Sequence, residues 1–244
     1  MAASYLFNGP RECIIWGANQ YFQGINMENK QSRDTQAKDT RKLTKDEIER
    51  TELFKKTTED LGSQGYRREN ITVSSGKANL FGILAGAVPA NVLAVAFYIS
   101  TNTIYGDIDN LWIFLAIPIF LASIIIHELL HGTGWILFTK GKFKSIAFGV
   151  VWKALMPYCT CKEPLRKGQY ITGLLLPFII LGVIPGIFSC IFASFPLFIY
   201  SVMMMICAGG DLLIFFLIMK SKLKGDVLFL DHPTDVGLAA FVKG

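Results

Sequence analysis

Between residues 79 and 219 the chain is dominated by long apolar runs, and no other feature constrains its fold as strongly. Such runs in succession exceed what one soluble domain of this size can pack. Each reaches the ~20 residues that a bilayer core requires. Four membrane-spanning helices are predicted, at about 79–99, 112–138, 169–194 and 197–219, the third interrupted by Pro177, Pro185 and glycines. The argument rests on distribution, because 52% apolar residues and a mean hydropathy of +0.40 lie close to soluble values.

The connections between these runs orient them. The 100–111 loop carries Asp107 and Asp109 and no Lys or Arg, and the 195–196 connection carries no charge. The 139–168 loop (Lys140, Lys142, Lys144, Arg166, Lys167) and the segment after 219 (Lys220, Lys222, Lys224) are basic. Basic loops stay cytoplasmic, which predicts a multi-pass cell-membrane protein with both termini inside. The net charge of +5 sits beside the apolar runs, where it serves topology and lipid headgroup contact. No aromatic-plus-basic stripe supports nucleic-acid binding, so no nucleic-acid partner is expected. The sequence sets no oligomeric state.

The remainder divides in three. In residues 1–26, Ala18-Asn19-Gln20-Tyr21-Phe22-Gln23-Gly24 resembles a protease tag-cleavage site lacking its first residue, and Met27 is a natural start. Residues 1–26 are therefore set aside as an upstream extension or cloning remnant. Residues 27–78 read as a polar cytoplasmic N-terminal region, disordered over 28–42. Its capping-box spacing Thr44-Lys45-Asp46-Glu47 opens a small surface helix that runs to about Leu61 and stops at Gly62, with Leu53, Thr57 and Leu61 on one face. Residues 79–244 form the membrane-embedded domain. Between spans two and three, Ser145 to Cys161 mixes apolar residues with few charges and is read as a short strand pair against the membrane face. The expected fold is thus all-α and integral to the membrane, with that one strand-like segment. Five cysteines (Cys13, Cys159, Cys161, Cys190, Cys207) show no disulfide framework. Cys190 and Cys207 are expected as buried fillers, and Cys159-Thr160-Cys161 is too sparse for a metal site.

One motif carries chemistry. His127-Glu128-Leu129-Leu130-His131 lies inside the second span. Residues four apart share a helix face, so His127 and His131 can bind one metal ion, with Glu128 beside it as a proton acceptor for water. Zinc lowers the pKa of bound water to about 7, which a carboxylate can exploit. Ionisable residues in mid-span cost up to ~3 kcal/mol each to insert, and three within one turn are expensive without a partner ion. The chain has only three histidines, and two fall here.

Catalytic zinc takes a third protein ligand. The extended metzincin pattern would place another His where this chain has Leu137, which excludes that class. The candidates are Glu163, Asp211, Asp231 and His232. Asp211 is chosen on depth. The motif centre Leu129 lies nine residues before the end of the second span at 138, and Asp211 eight before the end of the fourth at 219. At ~1.5 Å rise per residue both are about 12–14 Å from cytoplasmic helix ends. Gly209 and Gly210 are expected to let the fourth helix approach the second closely. Glu163, in a loop, is the runner-up, and His232 would touch only the mouth of the site.

Three motifs in order, His127-Glu128-Leu129-Leu130-His131-Gly132, Gly209-Gly210-Asp211 and Asp231-His232-Pro233-Thr234-Asp235-Val236-Gly237, resemble a bacterial integral-membrane zincin peptidase family, a domain of unknown function. The resemblance spans about 75–240. The group is similar in architecture to site-2 proteases, where an embedded His-Glu-x-x-His helix is completed by an Asp from a later helix. The resemblance implies His127, His131 and Asp211 as Zn2+ ligands and Glu128 as catalytic base. Asp211 follows two glycines and precedes Leu212, which departs from the Leu-Asp-Gly setting of site-2 proteases.

The expected activity is hydrolysis of a membrane-protein or peptide substrate near the cytoplasmic leaflet. The 145–161 segment would supply a strand edge for an unwound substrate. The competing classes are a metal-ion or proton transporter subunit and a metal-stabilised scaffold. Four spans are few for a transporter, and no inverted repeat is visible.

Overall fold

The computed structural model describes residues 45–151 and 156–244. The readings of 1–26 and 28–42, and the capping Thr44, lie outside the described residues. Helix α1 (Lys45–Ser63) passes Gly62 and is followed by a turn at Gly65, which takes the left-handed conformation (φ 87°) that suits glycine just past a helix end. The Tyr66 N–H returns to the Leu61 carbonyl at 3.0 Å and closes that end. The packed face of α1 centres on Phe54 and Leu61, which are buried against Leu230, Ala239 and Phe241.

Two long helices follow strand β1 (Arg67–Val73): α2 (Ser75–Thr101) and α3 (Asn110–Ile136). Asn102 caps α2 in the left-handed conformation, and the Asp109 carboxylate caps α3 by accepting from the Trp112 N–H at 2.9 Å. The third apolar run is helical throughout but not uniformly α. Helix α4 (Lys167–Pro177) widens into a π segment (Phe178–Val183) before α5 (Ile184–Ile191). Pro177 and Pro185 bracket the widened turn and remove backbone donors there. The Ser201 hydroxyl donates to the Gly182 carbonyl within it. In an apolar environment such a freed carbonyl needs a protein partner. The fourth run is two helices, α6 (Phe195–Cys207) and α7 (Gly209–Lys220), bent by 49° at Ala208.

Among the described residues, three helices are long and apolar enough to cross a membrane, or four if the bent α6–α7 pair is one span. Many large apolar side chains of α2 and α3, such as Val92, Ile99, Phe114 and Ile117, are exposed, as on a lipid-facing helix. Cys207, expected as a buried filler, is also exposed, because it lies on the outer face at the end of α6.

The fold is not all-α. Strands β2 (Ile146–Val151) and β3 (Met156–Cys161) form an antiparallel hairpin, with Phe148 opposite Cys159. A second, four-stranded antiparallel sheet has the order β1-β6-β5-β4, from β4 (Leu165–Arg166), β5 (Asp226–Asp231) and β6 (Val236–Lys243). Residues 67–73 pair with the C-terminal strand. Glu49–Gly244 form one compact unit. The core under the site joins Trp135 of α3, Tyr170 and Leu174 of α4, Ile218 of α7, and Phe229, Leu238 and Ala240 of the sheet.

Candidate metal centre

Helix periodicity places His127, His131 and Trp135 one above another on the inner face of α3. The glycines after the motif let other elements reach that face. A Cβ on Gly132 would stand 2.6 Å from Cζ of Phe148, so the bare backbone admits the β2–β3 hairpin. A Cβ on Gly134 would stand 2.6 Å from Cα of Gly173, so α4 lies directly on α3. From that position the Gly173 carbonyl accepts the His131 Nδ1–H at 2.9 Å. That bond fixes the tautomer and turns the Nε2 lone pair inward. The Trp135 ring stacks on the other side of the imidazole, with centroids 5.4 Å apart and planes at 14°.

Asp211, in the first turn of α7, completes the group. Its Oδ2 is 3.1 Å from His127 Nε2, its Oδ1 3.4 Å from His131 Nε2, and the two Nε2 atoms are 3.2 Å apart. These are the edges of a small triangle of electron-pair donors. Four ligands held tetrahedrally at the ~2.0–2.1 Å of zinc–nitrogen and zinc–oxygen bonds are separated by about 3.3–3.4 Å. Donor chemistry and spacing therefore both fit a tetrahedral divalent ion. Among the described residues these three form the one His/Cys/Asp/Glu group able to hold a metal.

Glu128 adjoins the triangle, half-buried, next in sequence to His127. The other sequence candidates lie elsewhere. The Glu163 carboxylate accepts from the Lys140 and Gly141 amides, each at 2.9 Å, and from the Ser145 hydroxyl, organising the loop after α3. Burial alone would raise its pKa, but these bonds outweigh burial and hold it below the ordinary carboxylate range. His232 Nδ1 accepts the Asp235 N–H at 3.0 Å in the β5–β6 turn, and its ring meets Phe54. Asp231 accepts the Cys161 N–H at 2.9 Å and the Tyr170 hydroxyl at 2.5 Å. Its burial raises the carboxyl pKa against those two bonds. The Cys161 thiol is pushed up to about 12, chiefly by burial, and donates to the Glu163 carbonyl.

The glycine pair before Asp211 behaves differently from expectation. A Cβ on Gly209 would run into the backbone of Gly82 in α2, so the close approach is to the first span, not the second. Gly210 faces open space. Sequence reasoning also missed Gly173 and Tyr170 as supports of the site; they hold His131 and Trp135 through backbone carbonyls, which leave no mark in a sequence. Trp135 was findable, because it continues the four-residue spacing of the two histidines.

The chain thus combines helices long and apolar enough to span a membrane with a His2Asp cluster able to hold a metal ion and an adjacent Glu. Residues 120–224, which include His127, Glu128, His131 and Asp211, match the model of a family described as "Putative zincin peptidase", a description that implies zinc. No curated protein and no solved structure gives a significant match.

Proposed function

We propose that the chain is an intramembrane zinc metallopeptidase, similar in plan to site-2 proteases, that cleaves a membrane protein near the cytoplasmic leaflet. The observation that carries this reading is the buried triangle of His127, His131 and Asp211 with the Glu128 carboxylate beside it. Basic loops at the ends of α3 and α7 support an orientation with both termini cytoplasmic.

His127 Nε2, His131 Nε2 and the Asp211 carboxylate would hold the ion. Zinc so held supplies Lewis acidity, enough to make water acidic near neutral pH. The remaining work belongs to the protein. Glu128 takes the proton of the attacking water on its carboxylate and returns it to the leaving amine. Gly173 and Trp135 hold the His131 ring in plane.

A substrate helix must unwind to expose a scissile carbonyl, and its freed backbone needs partners. The hairpin register decides which edge can supply them. The Lys162 N–H bonds Ser145 O, so the amides of Tyr158, Thr160 and Lys162 face β2 and those of Cys159 and Cys161 face outward. The outward Cys161 amide is taken by Asp231. The outer edge of β2, at Ile146, Phe148 and Val150, is left for an extended peptide, and Phe148 seats it over Gly132 beside His131. Replacing Phe148 or Val150 by proline should abolish cleavage while zinc is retained; unchanged cleavage would exclude the β2 edge. The reading as a whole is tested with Glu128→Gln in detergent-purified protein. Zinc kept with hydrolysis lost supports it. Unchanged function would point to a scaffold.

A further inference from the structure

We propose that the apolar groove between α3 and α6 seats the transmembrane segment of the substrate and leads it to the metal centre past the Ser123–Tyr200 pair. This inference rests on the reading of the metal centre as a peptidase site. The first part of α3 stands almost free: between Asn110 and Ile126 only Ser123 is buried. Beside it runs a groove of about 270 Å³, lined by Trp112, Ala116 and Phe120 of α3 and by Ile199, Tyr200 and Met203 of α6. A space of that size takes the apolar side chains of a helix laid alongside, not the whole helix. Steps of three or four residues carry the α3 side of the groove from Trp112, Ala116 and Phe120 through Ser123 to His127 and His131. Groove and metal ligands therefore share one face of α3.

The polar pair in this groove separates a peptide occupant from a lipid chain. The Ser123 hydroxyl donates to the Ile119 carbonyl at 2.8 Å, which leaves its oxygen to accept the Tyr200 O–H at 2.9 Å. Among the described residues this is the one side-chain hydrogen bond that ties residues 110–126 to another helix or strand. Ser123 stands four residues before His127, about 6 Å of helix rise. An acyl chain offers these hydroxyls neither donor nor acceptor. A peptide that unwinds beside them offers both, and its freed backbone groups need protein partners in an apolar surrounding. Each hydroxyl can donate and accept, so the two can exchange their mutual bond for a substrate carbonyl or amide one turn short of the metal ligand. Beyond the histidines, the β2 edge over Gly132 takes the extended chain. Groove, hydroxyl pair, histidines and β2 edge then form one continuous path along α3. Helical side chains are held first, freed backbone next and extended backbone last.

The test places the photo-crosslinker p-benzoylphenylalanine at Ala116, in the groove, or at Phe114, exposed on the opposite face of α3. The full chain in phosphatidylcholine nanodiscs is irradiated with a lysine-flanked leucine–alanine transmembrane peptide that carries a central Gly-Pro, and adducts are read by mass spectrometry. Position 116 should capture the peptide and position 114 lipid alone. Lipid alone at 116 overturns the proposal, and so does equal capture of peptide from both positions. Ala116→Trp fills the groove from an exposed position. It should raise KM for the same peptide about 10-fold, as for loss of one apolar anchor, with kcat and zinc content unchanged. Phe114→Trp should change neither constant. Tyr200→Phe keeps the ring but not the hydroxyl, and should lower kcat while capture from 116 persists. An unaltered KM in Ala116→Trp, or unaltered kinetics in Tyr200→Phe, refutes the path. Peptide captured from 116 but never cleaved by wild type leaves the groove standing and sinks the peptidase reading instead.

Discussion

Adjacent glycines before Asp211 should respond in opposite ways to the same substitution. A Cβ on Gly209 would overlap the carbonyl oxygen of Gly82 and lie 2.8 Å from its carbonyl carbon and 3.2 Å from the Gly86 nitrogen, whereas ordinary contact begins near 3.4 Å. All three obstacles are backbone atoms of α2 and cannot rotate away. Gly209→Ala must therefore displace the start of α7 by at least 0.6 Å, the difference between 3.4 and 2.8 Å. Asp211 is two residues further along the same helix and moves with it. Metal sites tolerate ligand errors of about ±0.2 Å, so a displacement three times larger should weaken zinc binding about 10–100-fold. Overpacking of this kind also costs about 1–3 kcal/mol of stability. Gly210→Ala introduces its Cβ into open space and should leave zinc affinity unchanged. Competition with a chromogenic zinc chelator measures both. Equal affinities for the two variants would refute the argument that α2 sets the position of the third ligand.

Other consequences follow from named contacts. Trp135→Phe keeps a stacked ring but loses the bond to the Tyr170 carbonyl, which should lower thermal stability by about 1 kcal/mol and leave zinc stoichiometry intact. Gly134→Ala should separate α3 from α4 at Gly173, lengthen the His131–Gly173 bond and reduce zinc affinity, read by the same chelator assay. Glu163 has a depressed pKa, so the stability it contributes is present above the ordinary Glu value of about 4.3 and is lost as pH falls through the lower folded value. Melting curves between about pH 3 and 6 should show that loss in wild type and a flatter profile in Glu163→Gln.

The helical part of the fold was legible because apolar runs of ~20 residues have few alternatives. The break at Ala208 was not, since Gly209 and Gly210 are compatible with either a continuous or a bent span. The four-stranded sheet was also missed. Its strands are short, and the apolar stretch from Val227 to Leu230 could be helix or strand by pattern alone. Only the pairing of β1 with β6, across more than 160 residues of sequence, settles it. Within the site, the spacing of His127 and His131 and the depth of Asp211 could be worked out from helix rise. The glycine contact was assigned to the wrong neighbour because depth along a bilayer says nothing about which helix lies beside which. The support at Gly173 is a backbone carbonyl, which every residue carries.

Zinc content tests the central claim most directly. Detergent-purified wild type should carry about one zinc per chain, and His127→Ala and Asp211→Ala should each lose it, while Glu163→Gln and Asp231→Asn keep it. Well-folded wild type without zinc, or zinc retained by Asp211→Ala, would contradict the account.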